Sequence, residues 1–283
     1  MSNEEQIAYW NGDAGRKWAE KDDVMATMLG PIARSLLEHC DPAGATRVLD
    51  VGCGGGSETL MLAERLGAGA RVLGVDVSAP LLAVAEQRLA DAGELPVAVE
   101  FLKADASQHA FEAGGWDFLF SRFGVMFFDD PVGAFRNLRA ALAPDGRMAF
   151  CCWQRLQDNP WVAVPLKAAL EHLPPPPAPD PHAPGPFAFA DRERLAGILE
   201  AAGFADVAIE HRDVTMGWGN GGDLARTTRE MLNIGPVGRL LAEEDDAVRQ
   251  AVYDSAAEVL APHFADGRIS LPGATWFVTA RRG

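Results

Sequence analysis

Residues 47–56 read RVLDVGCGGG. Val48, Leu49, Asp50 and Val51 form a short, mostly apolar run of strand length, bounded by turn residues, which predicts a buried strand. Gly52, Gly54, Gly55 and Gly56 follow at once and lead into a helical pattern from about residue 58. Glycine has no Cβ, so such a turn can take positive φ and let a ligand approach the backbone closely. It also aims the free amides of a helix N-terminus at that ligand. The reading is a nucleotide-type binding loop at the exit of a strand, with a plain structural turn as the alternative.

Outward from this loop the same rhythm repeats. A second strand is expected at 71–77, after which Ser78 caps a helix at 79–92 with Pro80 in its first turn. Further strands are expected at 98–103, 116–121 and 147–153, with a helix at 131–143 that stops at Pro144-Asp145-Gly146. Strands alternating with helices argue for an α/β fold: a doubly wound parallel sheet with helices on both faces. Upstream, residues 31–40 read as a helix with Pro31 in its first turn, after a helical lead-in that carries Tyr9, Trp10 and Trp18. Downstream, 155–173 reads as helical and the proline-rich stretch 174–186 as stiff and extended. A helix at 191–202 ended by Gly203, a strand at 207–214, a largely helical 221–264 broken at Gly235-Pro236, and a last strand at 274–281 complete the chain.

The 283 residues suit one large α/β domain, or one with a small addition; 48% are apolar and 23% charged. The net charge of −15 counts against nucleic acid or a membrane surface as partner and suits a small neutral or cationic substrate. No apolar run is long enough for a membrane span, and the polar, acidic start lacks a secretion pattern. The expectation is a cytoplasmic protein, either monomer or homodimer. Cys40, Cys53, Cys151 and Cys152 match neither a zinc nor a disulfide spacing, so no metal is expected.

Two cofactor classes use a loop of this kind. A nicotinamide loop reads G-x-G-x-x-G; counted from Gly52, its third glycine would fall at Ser57, and Asp50 within the strand is unusual for that use. The order Asp50, Gly52, Gly54, Gly56 instead resembles motif I of the class I S-adenosylmethionine-dependent methyltransferases. Asp76 ends the second strand, 24 residues after Gly52, where a carboxylate can take both hydroxyls of a ribose. Asp105 ends the third strand. The closing order of helix, Gly203, strand and last strand resembles the end of the same family's sheet. The segment 121–131, SRFGVMFFDDP, is similar to the ubiquinone/menaquinone C-methyltransferase-like branch. In that branch Phe-Gly is followed by Leu-Arg-Asn, and here Phe123-Gly124 is followed by Val125, Met126 and Phe127.

The resemblance covers residues 45–154 by motif and 190–283 by pattern. It implies a Rossmann-like, seven-stranded sheet of order 3-2-1-4-5-7-6 with strand seven antiparallel. It implies a methyltransferase domain over 46–283, with cap insertions at about 155–190 and 220–268, behind a helical lead-in or lid at 1–45. S-adenosylmethionine would be the cofactor, S-adenosylhomocysteine its product, and a small molecule the methyl acceptor. Gly52, Cys53 and Gly54 would contact the methionine end, and Asp50 would hold their loop. Asp76 would bind the ribose, Val77 would pack on the adenine, Asp105 would accept from its amino group and Ala106 would meet its edge. Ser121, with Arg122, would stand near the amine, and Trp10 and Trp18 would close over the cofactor. Tyr9, Phe127, Phe128 and Trp153 are candidate walls of the acceptor pocket. No catalytic base stands out among His109, His182, His211 and His263. In-line alignment of the acceptor with the sulfonium methyl can supply much of the rate. A nicotinamide oxidoreductase and a non-catalytic cofactor-binding module remain the alternatives.

Overall fold

A computed structural model describes residues 2–176 and 180–283. Three helices lead in: α1 (Asn3–Asn11), α2 (Asp13–Glu20) and α3 (Asp22–Cys40). Strands and helices then alternate as β1 (Arg47–Val51), α4 (Ser57–Ala63), β2 (Arg71–Asp76), α5 (Ala79–Ala92), β3 (Ala98–Lys103), β4 (Trp116–Arg122), α6 (Pro131–Ala141) and β5 (Leu142–Trp153). The remainder is α7 (Pro160–Ala169), α8 (Arg192–Ala201), β6 (Ala205–Trp218), α9 (Leu224–Leu232), α10 (Pro236–Leu240), α11 (Asp246–Leu260), the two-residue β7 (Phe264–Ala265) and β8 (Arg268–Arg281).

The sheet order is β3-β2-β1-β4-β5-β8-β6, with β7 beside β8. This is the expected order once the small extra strand is set aside. The pairs β1–β2, β1–β4, β2–β3 and β4–β5 are all parallel. Central strands of a parallel sheet are covered on both faces, which is why they read as continuous apolar runs. Val48, Leu49, Phe118, Leu119 and Phe120 are accordingly buried, whereas the edge strand β3 alternates toward solvent. Ser78 caps α5 as expected, its hydroxyl accepting from Leu81 N at 3.4 Å.

Several boundaries differ from the sequence reading. Pro31 lies inside α3, not at a helix start. A proline there removes one backbone hydrogen bond, but the buried row Met28, Leu29, Ile32, Leu36 and Leu37 holds the helix through tertiary packing. β5 begins at Leu142, and its register against β4 shifts between Trp116 and Phe118, so the Pro144-Asp145-Gly146 turn is an irregularity within the strand. β6 and β8 are longer than expected because alternate burial continues: Met216 and Trp218 in β6, Ile269 and Leu271 in β8. Of the proline-rich stretch, 177–179 lie outside the described residues. From 181 onward it forms turns, not an extended rod, and Gly185 N donates to Met126 O at 3.1 Å.

The chain divides into two compact units. The first is Met1–Trp153, His182–His211 and Trp276–Gly283, and holds the lead-in helices and strands β1 to β5. The second is Gln154–Pro181 and Arg212–Thr275. In it Trp161 stacks on Trp218 at 5.5 Å, and Asn159 Oδ1 accepts from Ala274 N at 2.9 Å. Trp161, Trp218, Met231 and Val237 also line an apolar pocket there. Among the described residues no helix is long and apolar enough to cross a membrane, and no group of three His, Cys, Asp or Glu is placed to hold a metal ion.

Candidate functional site at the end of the first strand

Strand order reverses between β1 and β4, so a crevice is expected beyond their C-terminal ends. Two loops meet there, 52–56 after β1 and 121–124 at the end of β4. Gly52 has φ 71°, and a Cβ on it would stand 2.6 Å from Gly124 Cα. The converse holds too, since a Cβ on Gly124 would stand 2.6 Å from Val51 O. Backbone packs on backbone, and neither position admits a side chain. Ser121 is fully buried; its hydroxyl donates to Val51 O at 2.7 Å and accepts from Gly124 N at 3.2 Å. Its proton is thus used in joining the loops. Phe123 takes φ 64° and stacks on Trp153, ring centroids 4.3 Å apart. Positive φ on a bulky residue is strained, and the stack and the Phe123 N–H to Cys151 O bond hold it.

The glycine loop is tied to β2. Gly52 N and Cys53 N both donate to Val75 O, at 2.8 and 3.2 Å. Gly54 N donates to Asp76 Oδ2 at 2.9 Å, and Ser78 N to Asp76 Oδ1 at 2.8 Å. Asp76 thereby bridges the loops after β1 and β2, with the Val77 amide as a further donor toward it. Burial pushes its carboxyl above the usual range, against these N–H groups, which favour the charge. Gly54 has φ 53°, and a Cβ there would meet nothing within 4 Å, so the loop opens to space at this residue. The Cys53 thiol is buried, and burial raises its pKa well above the ordinary value.

Beneath the loop, Asp50 is 1% exposed and accepts from Thr59 Oγ1 at 2.7 Å. Burial lifts its carboxyl to about 7; Glu58 adds to this, and the Thr59 bond opposes it. Glu58 pairs with Arg122 at 2.8 Å. Arg88 donates to Gly55 O and to Asp22 Oδ2, the latter at 2.6 Å.

Asp105 sits differently. Its Oδ1 accepts from Ser107 N at 2.9 Å and Ser107 Oγ at 2.6 Å, and its Oδ2 from Gln108 Nε2 at 2.7 Å and from Asn3 Nδ2. Burial raises its pKa, but the bonds from Ser107, Asn3 and Gln108 outweigh it and leave the carboxyl below its ordinary range. A carboxylate offers about four acceptor positions, and all are taken. Ala106 O accepts from Asn137 Nδ2 at 3.0 Å.

The Asn3 bond places the start of α1 at the end of β3. The other end of α1 is at β2: Asn11 Nδ2 donates to Val77 O at 2.9 Å, Ala79 N to Asn11 Oδ1 at 3.1 Å, and Ser78 Oγ to Trp10 O at 2.8 Å. Tyr9, Trp10, Trp18 and Phe127 meet edge to face, with Trp10 5.3 Å from Tyr9, 5.8 Å from Trp18 and 5.5 Å from Phe127. Trp153 is apart from this cluster, against Phe123. Phe128 packs on Phe135. His109 packs on Phe111 and His211 on Trp276, while His182 and His263 are exposed. Sequence reasoning missed Asn3, Asn11, Glu58 and Arg88, which bind residues far along the chain, and the buried Gln6. Gln6 is the one buried residue of α1, and among the described residues its amide has no hydrogen-bond partner.

A family profile described as a methyltransferase domain matches residues 49–150. The nocamycin O-methyltransferase of Saccharothrix syringae is 31% identical over 195 residues, 66% of this chain and 69% of that protein. The demethylmenaquinone methyltransferase of Clavibacter sepedonicus is 31% identical over 193 residues, 62% of this chain and 71% of that one. The Haemonchus contortus phosphoethanolamine N-methyltransferase 2 structure, in complex with S-adenosyl-L-methionine, shares the fold, with TM-score 0.57 and 17% identity over 97% of this chain and 59% of that one. The Asp76 carboxylate at the strand end, the open face at Gly54 and the buried Gln6 side-chain amide, without a partner among the described residues, fit a ribonucleoside cofactor.

Proposed function

The chain belongs to the class I S-adenosylmethionine-dependent methyltransferases, and on that premise we propose that it methylates an oxygen of a small organic acceptor. When bound, the cofactor supplies an electrophilic methyl carbon on a sulfonium. The residues of the chain bind, orient and exclude water. Asp76, held by the Gly54 and Ser78 amides, would take the ribose hydroxyls. The ribose is thereby fixed relative to the glycine loop, whose open face at Gly54 receives the methionine end. Val77 packs beside the base. Trp10 and Trp18, anchored through Trp10 O and Asn11, cover the site and keep water out.

The observation that carries this reading is the Asp76 bridge between two strand-end loops, a carboxylate held only by backbone amides. The choice of an oxygen acceptor is supported by the groups that bind those loops. Glu58 and Arg122 are paired to each other, Asp50 is buried on Thr59, and Arg88 is committed to Gly55 O and Asp22. None is poised as a strong base. An acidic hydroxyl or a carboxyl needs none, because its oxygen is readily anionic at neutral pH. The similarity to an O-methyltransferase supports the same choice, and the absence of Leu-Arg-Asn after Phe123-Gly124 counts against a quinone ring carbon.

Titration calorimetry should show binding of S-adenosylhomocysteine and none of NADH. Methyl-labelled cofactor, incubated with a panel of small hydroxy and carboxylic acids, should yield methyl ethers or base-labile methyl esters. Label found on carbon would overturn the oxygen assignment, and binding without turnover on any acceptor would favour a non-catalytic module.

A further inference from the structure

α1 spans the C-terminal ends of β2 and β3, pinned by Asn3 at Asp105 and by Asn11 at Val77 and Ala79. Gln6 lies between these anchors, one turn from Asn3 and one turn from Trp10, so the three share a face. It is only 3% exposed, and both amide atoms are buried with no partner among the described residues. Buried polar groups are nearly always hydrogen-bonded, and one that is not calls for an explanation. The cost of desolvating an amide is recovered only when a partner arrives.

Asp105 supplies the second half of the argument. The family resemblance implies that this carboxylate accepts from the adenine amino group, yet Ser107, Gln108 and Asn3 already fill its acceptor positions. An amino group in this region therefore needs another acceptor. A glutamine amide presents one carbonyl acceptor and an N–H donor side by side, which complements the amino group and adjacent ring nitrogen of adenine.

We propose that Gln6, from the lead-in helix, reads the amino edge of the cofactor's adenine, and that Asp105 instead positions α1 through Asn3. Gln6 is then a specificity-determining contact carried on the lid itself, so that closing the lid and recognising the base are one event. The proposal rests on the cofactor reading above.

The test combines a ligand change and a residue change. Calorimetry would compare S-adenosylhomocysteine with the analogue whose purine lacks the 6-amino group, on the wild type, Gln6→Met and Asp105→Asn. The wild type should prefer the amino-bearing ligand by roughly tenfold, about the worth of one buried hydrogen bond. Gln6→Met should bind both ligands alike, at the weaker level. Its ligand-free melting temperature should hold or rise, since an orphaned amide has been replaced by an apolar group of similar volume. Asp105→Asn should keep the preference. Wild type that binds both ligands equally, or Gln6→Met that keeps the full preference, would overturn the proposal, and the first of these does not depend on any variant folding. Wild type that binds neither ligand would instead overturn the cofactor reading.

Discussion

The glycine loop and the first lead-in helix meet at the C-terminal ends of β1 to β3, but they are built in opposite ways. In the loop the polar groups are tied to the neighbouring strand and helix: Gly52 and Cys53 on Val75, Gly54 on Asp76, Asp50 on Thr59. The first lead-in helix, α1, is fastened at its ends by Asn3 and Asn11 and carries between them the Gln6 side-chain amide, which has no partner among the described residues. A loop tied in this way is preorganised and changes little when a ligand binds. An element with an open polar group has a place for a ligand to complete. On the proposals above, the donor's sugar would meet a rigid cradle, whereas its base would meet an element whose hydrogen bonding is finished only in the complex.

The strongest way to break the rigid half is Gly52→Ala. Its Cβ would clash with Gly124 Cα and its φ of 71° would be strained, so a loss on the order of 3–5 kcal/mol in denaturant unfolding is expected, with cofactor binding gone. The next largest effect is on pH dependence. Asp50 has a folded pKa raised to about 7, above its unfolded value. The stability from its protonated form is therefore present below about pH 4 and lost as pH rises toward 7. Relative to wild type, Asp50→Asn should gain roughly 2–4 kcal/mol between pH 4 and 8; parallel unfolding curves at the two pH values would disprove it. Asp76→Ala should weaken S-adenosylhomocysteine binding by about 1–3 kcal/mol, read by calorimetry, and an unchanged affinity would remove the ribose assignment. On the lead-in side, Asn11→Ala should cost about 1–2 kcal/mol. Hydrogen exchange should speed up in α1 and α2 while leaving β1 untouched, which would separate the two regions directly. The smallest effect is on the thiols: burial pushes Cys40 and Cys151 up to about 12 and Cys53 and Cys152 well up, so alkylating reagents should leave all four unmodified in the folded protein.

Much of this was legible in the residues because it is local. Ser78 with Pro80 marks a helix start whatever lies around it. The run 47–51 followed by glycines marks a buried strand and a turn that needs positive φ. The places where the reading fell short are those where distant packing overrides local preference. Pro31 sits inside α3 because a buried face holds the helix across the lost bond, and β8 runs through Pro272-Gly273 because alternate residues stay buried.

The same division holds for function. Period, spacing and backbone freedom in the amino-acid sequence determined the alternation of strands and helices, the glycine turn and the two acids at the ends of β2 and β3, while the sheet order and the cofactor class came from the resemblance of those motifs to a family. Only the tertiary structure decided how those acids differ. Asp76 is held by backbone amides alone, those of Gly54, Ser78 and Val77, whereas Asp105 is filled mostly by side chains, one of them from a helix about a hundred residues earlier. Hydrogen-bond capacity is a property of everything that converges on an oxygen, and no stretch of sequence contains that sum.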